Sequence, residues 1–368
     1  MKVLITGSNG FVAQNLISTL EERKDVEILR FTRDDDVSRL DELTGQADFI
    51  FHLAGVNRPK DPADFKSGNA GLTQQLCDSI ARGGRRTPVI YSSSTQASQD
   101  NPYGLSKREA EDALLALAEQ HGSPVYLFRL PNVFGKWARP NYNSAVATFC
   151  HNINRGLPIQ INDSTAAITL VYVDDVVARF IELMDGAIAD DRHCTIAPQY
   201  RITVGDLAAQ LEAFRDSRQT LITAAVGTGL TRALYATYVS YLPPERFSYE
   251  VPKYGDPRGV FVEMLKTQDS GQFSYFTAHP GVTRGGHYHH SKTEKFLVIK
   301  GRARFRFRHI LTGEFHEQDT DGDKPEIVET VPGWTHDITN IGDDEMVVML
   351  WANEIFDRAR PDTFARPL

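Results

Sequence analysis

The chain has 368 residues, more than a single hydrophobic core usually supports, so at least two domains are expected. Apolar residues make up 41% and charged residues 24% of the chain, a composition that excludes disordered and fibrous proteins. The net charge is −8 and the basic residues form no long block, so nucleic acid is not expected as a partner.

The sequence also predicts a cytoplasmic location. No apolar run has transmembrane length, and the first residues turn into a glycine loop within six positions, which leaves no room for the apolar core of a signal peptide. The three cysteines are isolated, as expected in a reducing compartment. We therefore expect no membrane partner.

Up to about residue 240, short apolar runs alternate with stretches of helical period. The strand-like runs are residues 3–5, 49–53, 89–91 and 125–130. After the first run, Val12, Leu16 and Leu20 recur every four residues, which is the buried stripe of an amphipathic helix. Strand and helix in alternation predict a doubly wound parallel sheet.

Two adjacent prolines, Pro243 and Pro244, end this pattern and predict a boundary between a domain 1–243 and a domain 244–368. Beyond it, short strands are separated by Gly, Asp and Pro turns; they are predicted at 273–277, 295–300, 303–308, 327–331 and 346–351. Ala and Phe alternate with Arg in residues 303–308, so one face of that strand is buried. The pattern predicts an antiparallel barrel or sandwich.

The loop after the first predicted strand is rich in glycine. Gly7 permits a tight turn, Gly10 lets the backbone approach a pyrophosphate, and Ala13 allows close packing of helix on strand. The helix that follows offers its positive N-terminal end to phosphates. A plain glycine turn is the alternative. The dinucleotide-binding residues predicted here are Gly7, Ser8, Asn9, Gly10, Phe11 and Val12.

The second strand of this domain ends without the carboxylate that binds the ribose hydroxyls in NAD enzymes. Arg30 and Arg33 stand there instead and are available to bind a 2′-phosphate, which favours NADPH. The competing interpretation is that both are solvated surface arginines.

Tyr103 and Lys107 lie four residues apart, on one face of the helix that follows Pro102. A phenol with a pKa of about 10 exchanges protons poorly at neutral pH, and a neighbouring ammonium lowers that pKa. Upstream, residues 92–95 offer hydroxyls that can hold a carbonyl oxygen. Together with the glycine loop, this order of motifs indicates a carbonyl reductase.

These motifs resemble those of the extended short-chain dehydrogenase/reductase family, over residues 1 to about 240. The resemblance implies that Ser94, Tyr103 and Lys107 are catalytic, although Ser93 and Thr95 are easily confused with Ser94. It also implies that Leu53, Ala54 and Gly55 line the cofactor. The segments 129–135 and 171–176 are similar to the sugar-nucleotide branch of that family. By this resemblance the residues expected to hold a sugar nucleotide are Asn132 and Arg139.

Histidines cluster in the second half of the chain. His287 and His289 point to one side of a strand, Glu294 follows a turn, and His336 comes from a separate strand. Three imidazoles and a carboxylate suit a divalent ion, zinc first, with iron or manganese as alternatives. A histidine-rich surface loop is the competing interpretation, and His290 is expected to point away from the site.

This pattern is similar to the two-motif signature of the cupin superfamily, which implies an all-β barrel around the metal. The segments that contain Arg258 and Arg284 also resemble cupin epimerases that act on 4-keto-6-deoxy nucleotide sugars, so both arginines are predicted to bind substrate. In those epimerases the residue that matches His287 is a metal-free base. One residue is not expected to serve both purposes, and the sequence identifies no other base.

The expected fold is thus an α/β Rossmann-like doubly wound parallel sheet followed by an all-β cupin barrel. This order resembles the bifunctional enzymes of capsule and O-antigen synthesis that make UDP-2-acetamido-2,6-dideoxy-L-talose on the way to UDP-N-acetyl-L-fucosamine. The resemblance implies a homodimer that epimerises carbon 3 of a UDP-4-keto-6-deoxy-N-acetylhexosamine and then reduces carbon 4. Two alternatives are a reductase with a structural metal barrel and a non-catalytic sensor.

Overall fold

The computed structural model of the chain describes residues 1–59, 61, 63–186, 192–256, 259–262, 265, 271–354 and 359–368. The chain folds into two units. The first contains Met1–Ser144 and Ile168–Arg201, and the second contains Ala145–Ala167 and Ile202–Leu368. The boundary predicted after residue 243 lies inside the second unit, and a domain 244–368 stays a prediction.

The first unit is built on a six-stranded parallel sheet in the order β2-β1-β3-β4-β5-β8. Its strands are β1 (Lys2–Thr6), β2 (Glu27–Phe31), β3 (Phe49–His52), β4 (Val89–Ser94), β5 (Val125–Leu130) and β8 (His193–Cys194). A smaller sheet joins β6 (Asn132–Phe134), β7 (Ala167–Tyr172) and β9 (Tyr200–Thr203). The strand order reverses at β1, and in such sheets ligands bind beyond the carboxyl ends of the strands at the reversal.

Helices cover both faces of this sheet, which confirms the doubly wound prediction. They are α1 (Phe11–Leu20), α2 (Arg39–Gln46), α3 (Ala63–Phe65), a π-helix (Lys66–Gly71), α4 (Leu72–Gly83), α5 (Pro102–His121) and α7 (Val173–Met184). Val3 and Ile5 of β1 pack with the buried residues of α1 and α7, whereas Leu4 packs with those of α2, α4 and α5. Because both faces are buried, consecutive apolar residues occupy the buried parts of the strands, as in residues 3–5 of β1 and 49–51 of β3.

The second unit contains two five-stranded sheets in the orders β10-β18-β15-β20-β13 and β17-β16-β19-β14-β21, and a hairpin of β11 with β12. Every strand pairing described in it is antiparallel, which confirms a C-terminal all-β domain; that it is a cupin stays a prediction. The strands are β10 (Ser248–Glu250), β11 (Lys253–Asp256), β12 (Gly259–Val262), β13 (Gln272–Ala278), β14 (Thr283–Tyr288), β15 (Glu294–Lys300), β16 (Arg302–His309), β17 (Phe315–Asp321), β18 (Glu326–Glu329), β19 (Trp334–Asn340), β20 (Met346–Ala352) and β21 (Phe364–Ala365).

Three helices belong to this second unit as well: α6 (Ala145–Asn154), α8 (Val204–Thr220) and α9 (Gly229–Ser240). A buried ion cluster ties α8 to the β-strands, because the Glu329 carboxylate of β18 pairs with both Arg218 of α8 and Lys295 of β15. Tyr235 of α9 adds its hydroxyl to the same carboxylate at 3.3 Å. These contacts offset part of the free-energy cost of burying the three charges.

The alternation predicted for residues 303–308 is confirmed. Ala303, Phe305 and Phe307 of β16 are buried. Along the part of the chain that the structure describes, no helix is both long and apolar enough to cross a membrane.

Candidate active site and metal centre

The glycine loop that joins β1 to α1 packs tightly against the segment that follows β3. Gly7 has a φ of +66°, and a Cβ added to it would lie 2.6 Å from the Cα of Ala54, so no other residue fits there. The Gly10 amide donates to the Gly7 carbonyl at 2.7 Å and closes the turn. Asn9 and Gly10 are exposed at the start of α1, where a phosphate would meet the helix N-terminus.

The rest of the predicted cofactor segment is held by hydrogen bonds. Ser8 donates its amide and its hydroxyl to the Phe31 carbonyl of β2, at 3.2 and 3.3 Å. The Ala54 amide donates to the Thr6 hydroxyl at 3.2 Å, which fixes the chain from Leu53 to Gly55 beside the loop. The structure therefore brings the predicted residues 7–12 and 53–55 together at the carboxyl ends of β1 and β3.

The two arginines predicted to bind a 2′-phosphate have different surroundings. The Arg30 guanidinium pairs with Glu21 at 2.6 Å, and both side chains are about half exposed, so Arg30 fits the surface-arginine interpretation. Arg33 is exposed in the turn just after β2. In the same turn, Asp35 accepts from the Thr32 amide at 2.7 Å and pairs with Arg39, and Asp34 is exposed. Arg33 is thus the better candidate of the two.

The helix that carries the predicted catalytic pair begins at a well-formed cap. Asn101 accepts the Gly104 amide at 2.8 Å and Pro102 occupies the first turn of α5, a sequence that favours a helix start. Tyr103 follows at once, with its ring 5.6 Å from that of Phe65. Lys107 lies one turn further along the same face and is buried.

The structure distinguishes the three candidate hydroxyls at the end of β4. The Ser94 hydroxyl lies close enough to the Tyr103 phenol to lower its pKa, and it accepts the Gln96 amide at 3.2 Å. Ser93 instead donates to Glu111, which is also held by Arg129, and Thr95 is exposed. Ser94 is therefore the hydroxyl placed to share a carbonyl oxygen with Tyr103.

The two ionisable groups of this pair have shifted pKa values, and burial is the main cause of both shifts. It lowers the pKa of Lys107 to about 8, partly opposed by Glu111, and the ammonium donates to the Ser92 carbonyl at 3.0 Å. Burial raises the pKa of Tyr103 above its usual value of 10, although the nearby Ser94 hydroxyl opposes the change. The predicted lowering of the Tyr103 pKa is therefore wrong for this structure, because burial outweighs the opposing contribution.

Asn69, in the π-helix, connects the cofactor segment to α5. Its side chain accepts from the Val56 amide at 2.8 Å and donates to the Ser106 hydroxyl at 2.9 Å. A Cβ added to Gly55 would lie 3.1 Å from the side-chain oxygen Oδ1 of Asn69 and 3.1 Å from the Lys107 ammonium. Glycine at position 55 therefore lets the segment approach both groups.

The predicted substrate residues are dispersed. Asn132 is exposed and donates to the Thr169 carbonyl at 3.0 Å. The Arg139 guanidinium lies 5.2 Å from the centre of the Tyr142 ring, and Tyr142 is close enough to contribute to the raised pKa of Tyr103. Tyr142, at the end of the loop that begins with Arg139, thus lies within electrostatic range of the Tyr103 phenol. Tyr142 had no individual role in the sequence prediction.

Of the two arginines predicted in the C-terminal domain, Arg284 is exposed on β14. Its guanidinium lies 5.2 Å from the centre of the Phe276 ring. Arg258 lies outside the described residues.

The four predicted metal ligands converge in the second unit. One nitrogen or oxygen from each of His287, His289, Glu294 and His336 lies within 4.8 Å of the others. Register explains the convergence, because His287 on β14 is paired with His336 on β19, and a bulge at Gly285 adjusts the first strand. Glu294 begins β15, and its carboxylate is 3.1 Å from His289 Nε2. His290 was predicted to point away from this cluster. Its ring packs instead on Phe364, with 5.0 Å between the two ring centres.

The electrostatics of this cluster suit a divalent ion. Burial and the neighbouring His336 lower the pKa of His287 to about 3, which keeps its imidazole neutral as a metal ligand must be. Burial alone would raise the pKa of Glu294, but His289, His336 and Lys292 hold it well below its usual value. Both ring nitrogens of His336 are buried and, among the described residues, have no hydrogen-bond partner. The donor set therefore fits a cation bound by three imidazoles and a carboxylate.

Asp362 is a contributor to this site that the sequence did not reveal. Its backbone carbonyl accepts from His289 Nδ1, and its carboxylate accepts from the amides that follow this ligand. It lies about seventy residues further along the chain and forms part of no recognisable motif, so no sequence signal marked it.

Comparison with known proteins gave a consistent result. A sequence model of the NAD dependent epimerase/dehydratase family matches residues 3–197, and one of the polysaccharide biosynthesis C-terminal domain matches residues 254–364. The chain is 66% identical over 365 residues to UDP-2-acetamido-2,6-beta-L-arabino-hexul-4-ose reductase from Pseudomonas aeruginosa, covering 99% of this chain and 98% of that protein.

Two solved structures are also similar. The capsular polysaccharide assembling protein CapF from Staphylococcus aureus aligns over 100% of both chains, with 41% identity and a TM-score of 0.69. A UDP-glucose 4-epimerase from Thermotoga maritima aligns over 58% of this chain and 82% of its own, with 21% identity and a TM-score of 0.52, and it shows the fold of that part alone.

Proposed function

Because the chain belongs to the NAD dependent epimerase/dehydratase family, we propose that it is a bifunctional UDP-sugar enzyme whose first unit is a 4-ketoreductase. The observation that carries the proposal is that Ser94 lies close enough to the Tyr103 phenol to influence its pKa, with Lys107 buried one helical turn away. The 66% identity to a reductase named for a UDP-linked hexulose supports the same substrate class.

In the proposed reduction, the ketone oxygen at carbon 4 accepts hydrogen bonds from the Ser94 and Tyr103 hydroxyls. Tyr103 gives its proton to that oxygen, and the buried Lys107 ammonium stabilises the phenolate that forms. NADPH, when bound, supplies the hydride that completes the alcohol. The raised pKa of Tyr103 keeps the phenol protonated before the reaction, as a proton donor requires.

The choice of NADPH is supported by Arg33, which is exposed just after β2 and available to bind a 2′-phosphate. The glycine loop from Gly7 to Val12 and the segment from Leu53 to Gly55 would hold the dinucleotide, because their backbones approach each other closely. Asn132 and Arg139 are proposed to bind the sugar nucleotide.

The second unit is proposed to epimerise carbon 3 before the reduction. His287, His289, Glu294 and His336 would hold Zn²⁺, with iron or manganese as alternatives, and such an ion stabilises the negative charge of an enolate. The proton on carbon 3 leaves and a solvent proton returns to the opposite face, so no oxidant is needed. Arg284, and Arg258 by resemblance, are proposed to bind the substrate.

The product of both steps would be UDP-2-acetamido-2,6-dideoxy-L-talose, the precursor of UDP-N-acetyl-L-fucosamine. A homodimer and a cytoplasmic location complete the proposal. A second candidate function is a reductase whose metal barrel is structural; the observation that favours it is the deep burial of Glu294 and His336.

The test is product analysis after incubation with NADPH and a UDP-4-keto-6-deoxy-N-acetylhexosamine in heavy water. The proposal predicts stoichiometric NADPH oxidation and a product that carries deuterium on carbon 3. Oxidation without deuterium would instead support the reductase with a structural metal. If NADPH is not oxidised at all, the sensor hypothesis gains and the proposed function is wrong.

A further inference from the structure

The C-terminal residues 361–366, here called the C-terminal strap, lie against the loop that carries a metal ligand. The Asp362 carboxylate accepts three successive backbone amides: His290 at 2.8 Å, Ser291 at 2.8 Å and Lys292 at 2.7 Å. The Ser291 hydroxyl adds a fourth bond at 3.1 Å. One carboxylate thus fixes the chain between His289 and Glu294, which are both in the four-residue cluster.

The same residue orients the imidazole of His289. The Asp362 carbonyl oxygen accepts from His289 Nδ1. A carbonyl can only accept, so Nδ1 carries a proton and Nε2 is turned to the cluster, where it lies 3.1 Å from Glu294 Oε2. Hydrogen bonds of this type to the second ring nitrogen set the tautomer and direction of metal-binding histidines.

The strap also follows the strand that carries His287. Phe364 and Ala365 form β21, which pairs with Tyr288 and His287 of β14. The Arg366 amide donates to the Gly286 carbonyl at 2.8 Å, and the Phe364 ring contacts that of His290 at 5.0 Å. The strap therefore bonds to the chain on both sides of two predicted ligands.

We propose that the C-terminal strap controls metal binding, with Asp362 as the positioning residue that holds His289 in its ligating orientation. The proposal rests on the metal site of the proposed function and adds the part of the chain that preorganises it. Preorganisation saves the ordering entropy that residues 290–293, between His289 and Glu294, would otherwise lose when the ion binds. Because binding free energies are reciprocal, a bound ion must stabilise the strap in return.

The test measures binding of Co²⁺ alone to the full chain, by its absorption spectrum and by competition with a chelator. Asp362→Asn removes the charge that the three amides share, and the affinity is expected to fall about 10- to 100-fold, as is usual when such a supporting contact is lost. Asp321→Asn is the matched control, because Asp321 also accepts two successive backbone amides, each at 2.9 Å, in a turn that includes none of the four ligands.

Equal affinities of Asp362→Asn and the wild-type chain would overturn the proposal. A wild-type chain that binds no Co²⁺ would instead refute the metal site itself. Hydrogen exchange of the wild-type chain gives a second test that does not depend on a variant folding. Added Co²⁺ should slow exchange of the strap amides Phe364 to Arg366 together with those of residues 290–292, and unchanged strap exchange at saturating Co²⁺ would contradict the coupling.

Discussion

The two sites differ in how their polar groups are satisfied. In the first unit Ser94 accepts the Gln96 amide and lies beside the Tyr103 phenol, and Lys107 donates to the Ser92 carbonyl. In the second unit three imidazoles face one carboxylate, and His336 has no hydrogen bond among the described residues. The first site is thus organised by hydrogen bonds of the chain itself, whereas the second leaves both ring nitrogens of His336 without one among the described residues, as the proposed cation site would.

The sharpest way to test this difference is to remove the phenol from the first site. Tyr103→Phe should lower kcat for NADPH oxidation about 10²- to 10⁴-fold, since it deletes the proton donor. Deuterium incorporation at carbon 3 and Co²⁺ binding should both persist. Tyr142→Phe is the control, because its ring is near the same phenol but its hydroxyl has no proposed proton to give; an equal loss there would mean that ring packing, and not proton transfer, is the cause.

The second site should respond in the opposite way. Glu294→Gln removes the only carboxylate of the four-residue cluster, and metal affinity should fall at least 100-fold, measured by equilibrium dialysis with Zn²⁺. NADPH oxidation with an already epimerised substrate should be retained. His279→Ala, at an exposed histidine beside β13, is the matched control. Loss of reduction in Glu294→Gln would show that the two activities are not separable.

The pH dependence of reduction should report the buried lysine. Since burial lowers the pKa of Lys107 to about 8, the ammonium is charged below pH 8 and is lost as the pH rises above it. The value of kcat/KM for reduction should therefore fall tenfold for each pH unit well above 8, while the phenol of Tyr103, with its raised pKa, stays protonated longer. A profile that is flat to pH 10 would contradict this role.

The lowered pKa of Lys107 affects stability in the opposite direction: the reduction rate should fall as the pH rises above 8, whereas the free energy of unfolding should increase. The folded chain binds the Lys107 proton more weakly than the unfolded chain, whose lysine pKa is about 10.4. The contribution of Lys107 to stability is therefore unfavourable below pH 8 and becomes less so between pH 8 and about 10.4.

The smallest expected effect concerns the choice of cofactor. Arg33→Ala should raise the KM for NADPH about tenfold and leave that for NADH unchanged, because one charged hydrogen bond to the 2′-phosphate is worth about 1.5 kcal/mol. Arg30→Ala should change neither KM, since Arg30 is paired with Glu21 on the surface. Initial-rate kinetics with both cofactors would decide, and reversed results would reassign the phosphate contact to Arg30.

Much of the first site could be predicted because its determinants are local in sequence. The glycine loop and the Tyr103–Lys107 spacing each fall within a few residues, and the structure places them together at the same sheet edge. The choice of Ser94 over Ser93 came from the family resemblance alone; its structural cause, the bond of Ser93 to Glu111 in the helix that follows, could not be predicted from the sequence. The pairing of Arg30 with Glu21 could not be predicted from the sequence either, because it depends on the packing of α1 beside β2.

For the second site, too, the sequence could not predict contacts between residues that are far apart in the chain. Its four ligands follow from residue type and spacing, and register then brings His287 beside His336. The contact that orients His289 comes from Asp362, in a segment with no motif, and only the fold brings them together. The helices α8 and α9, which the sequence placed before the predicted boundary at 243, pack in the second unit because buried Glu329 needs Arg218 as a partner.

The buried ion cluster of Arg218, Lys295 and Glu329 limits where the chain can be divided into fragments. The chain passes from one unit to the other after Ser144, after Ala167 and after Arg201, so no single cut separates them. A fragment that begins at residue 244 would keep Lys295 and Glu329 but lose Arg218, and with it one of the two cations that neutralise the carboxylate. The segment 244–368 is thus not expected to be exchangeable between proteins as a separate domain. Domain-swapping or gene-splitting designs should carry residues 145–167 and 202–243 along with it.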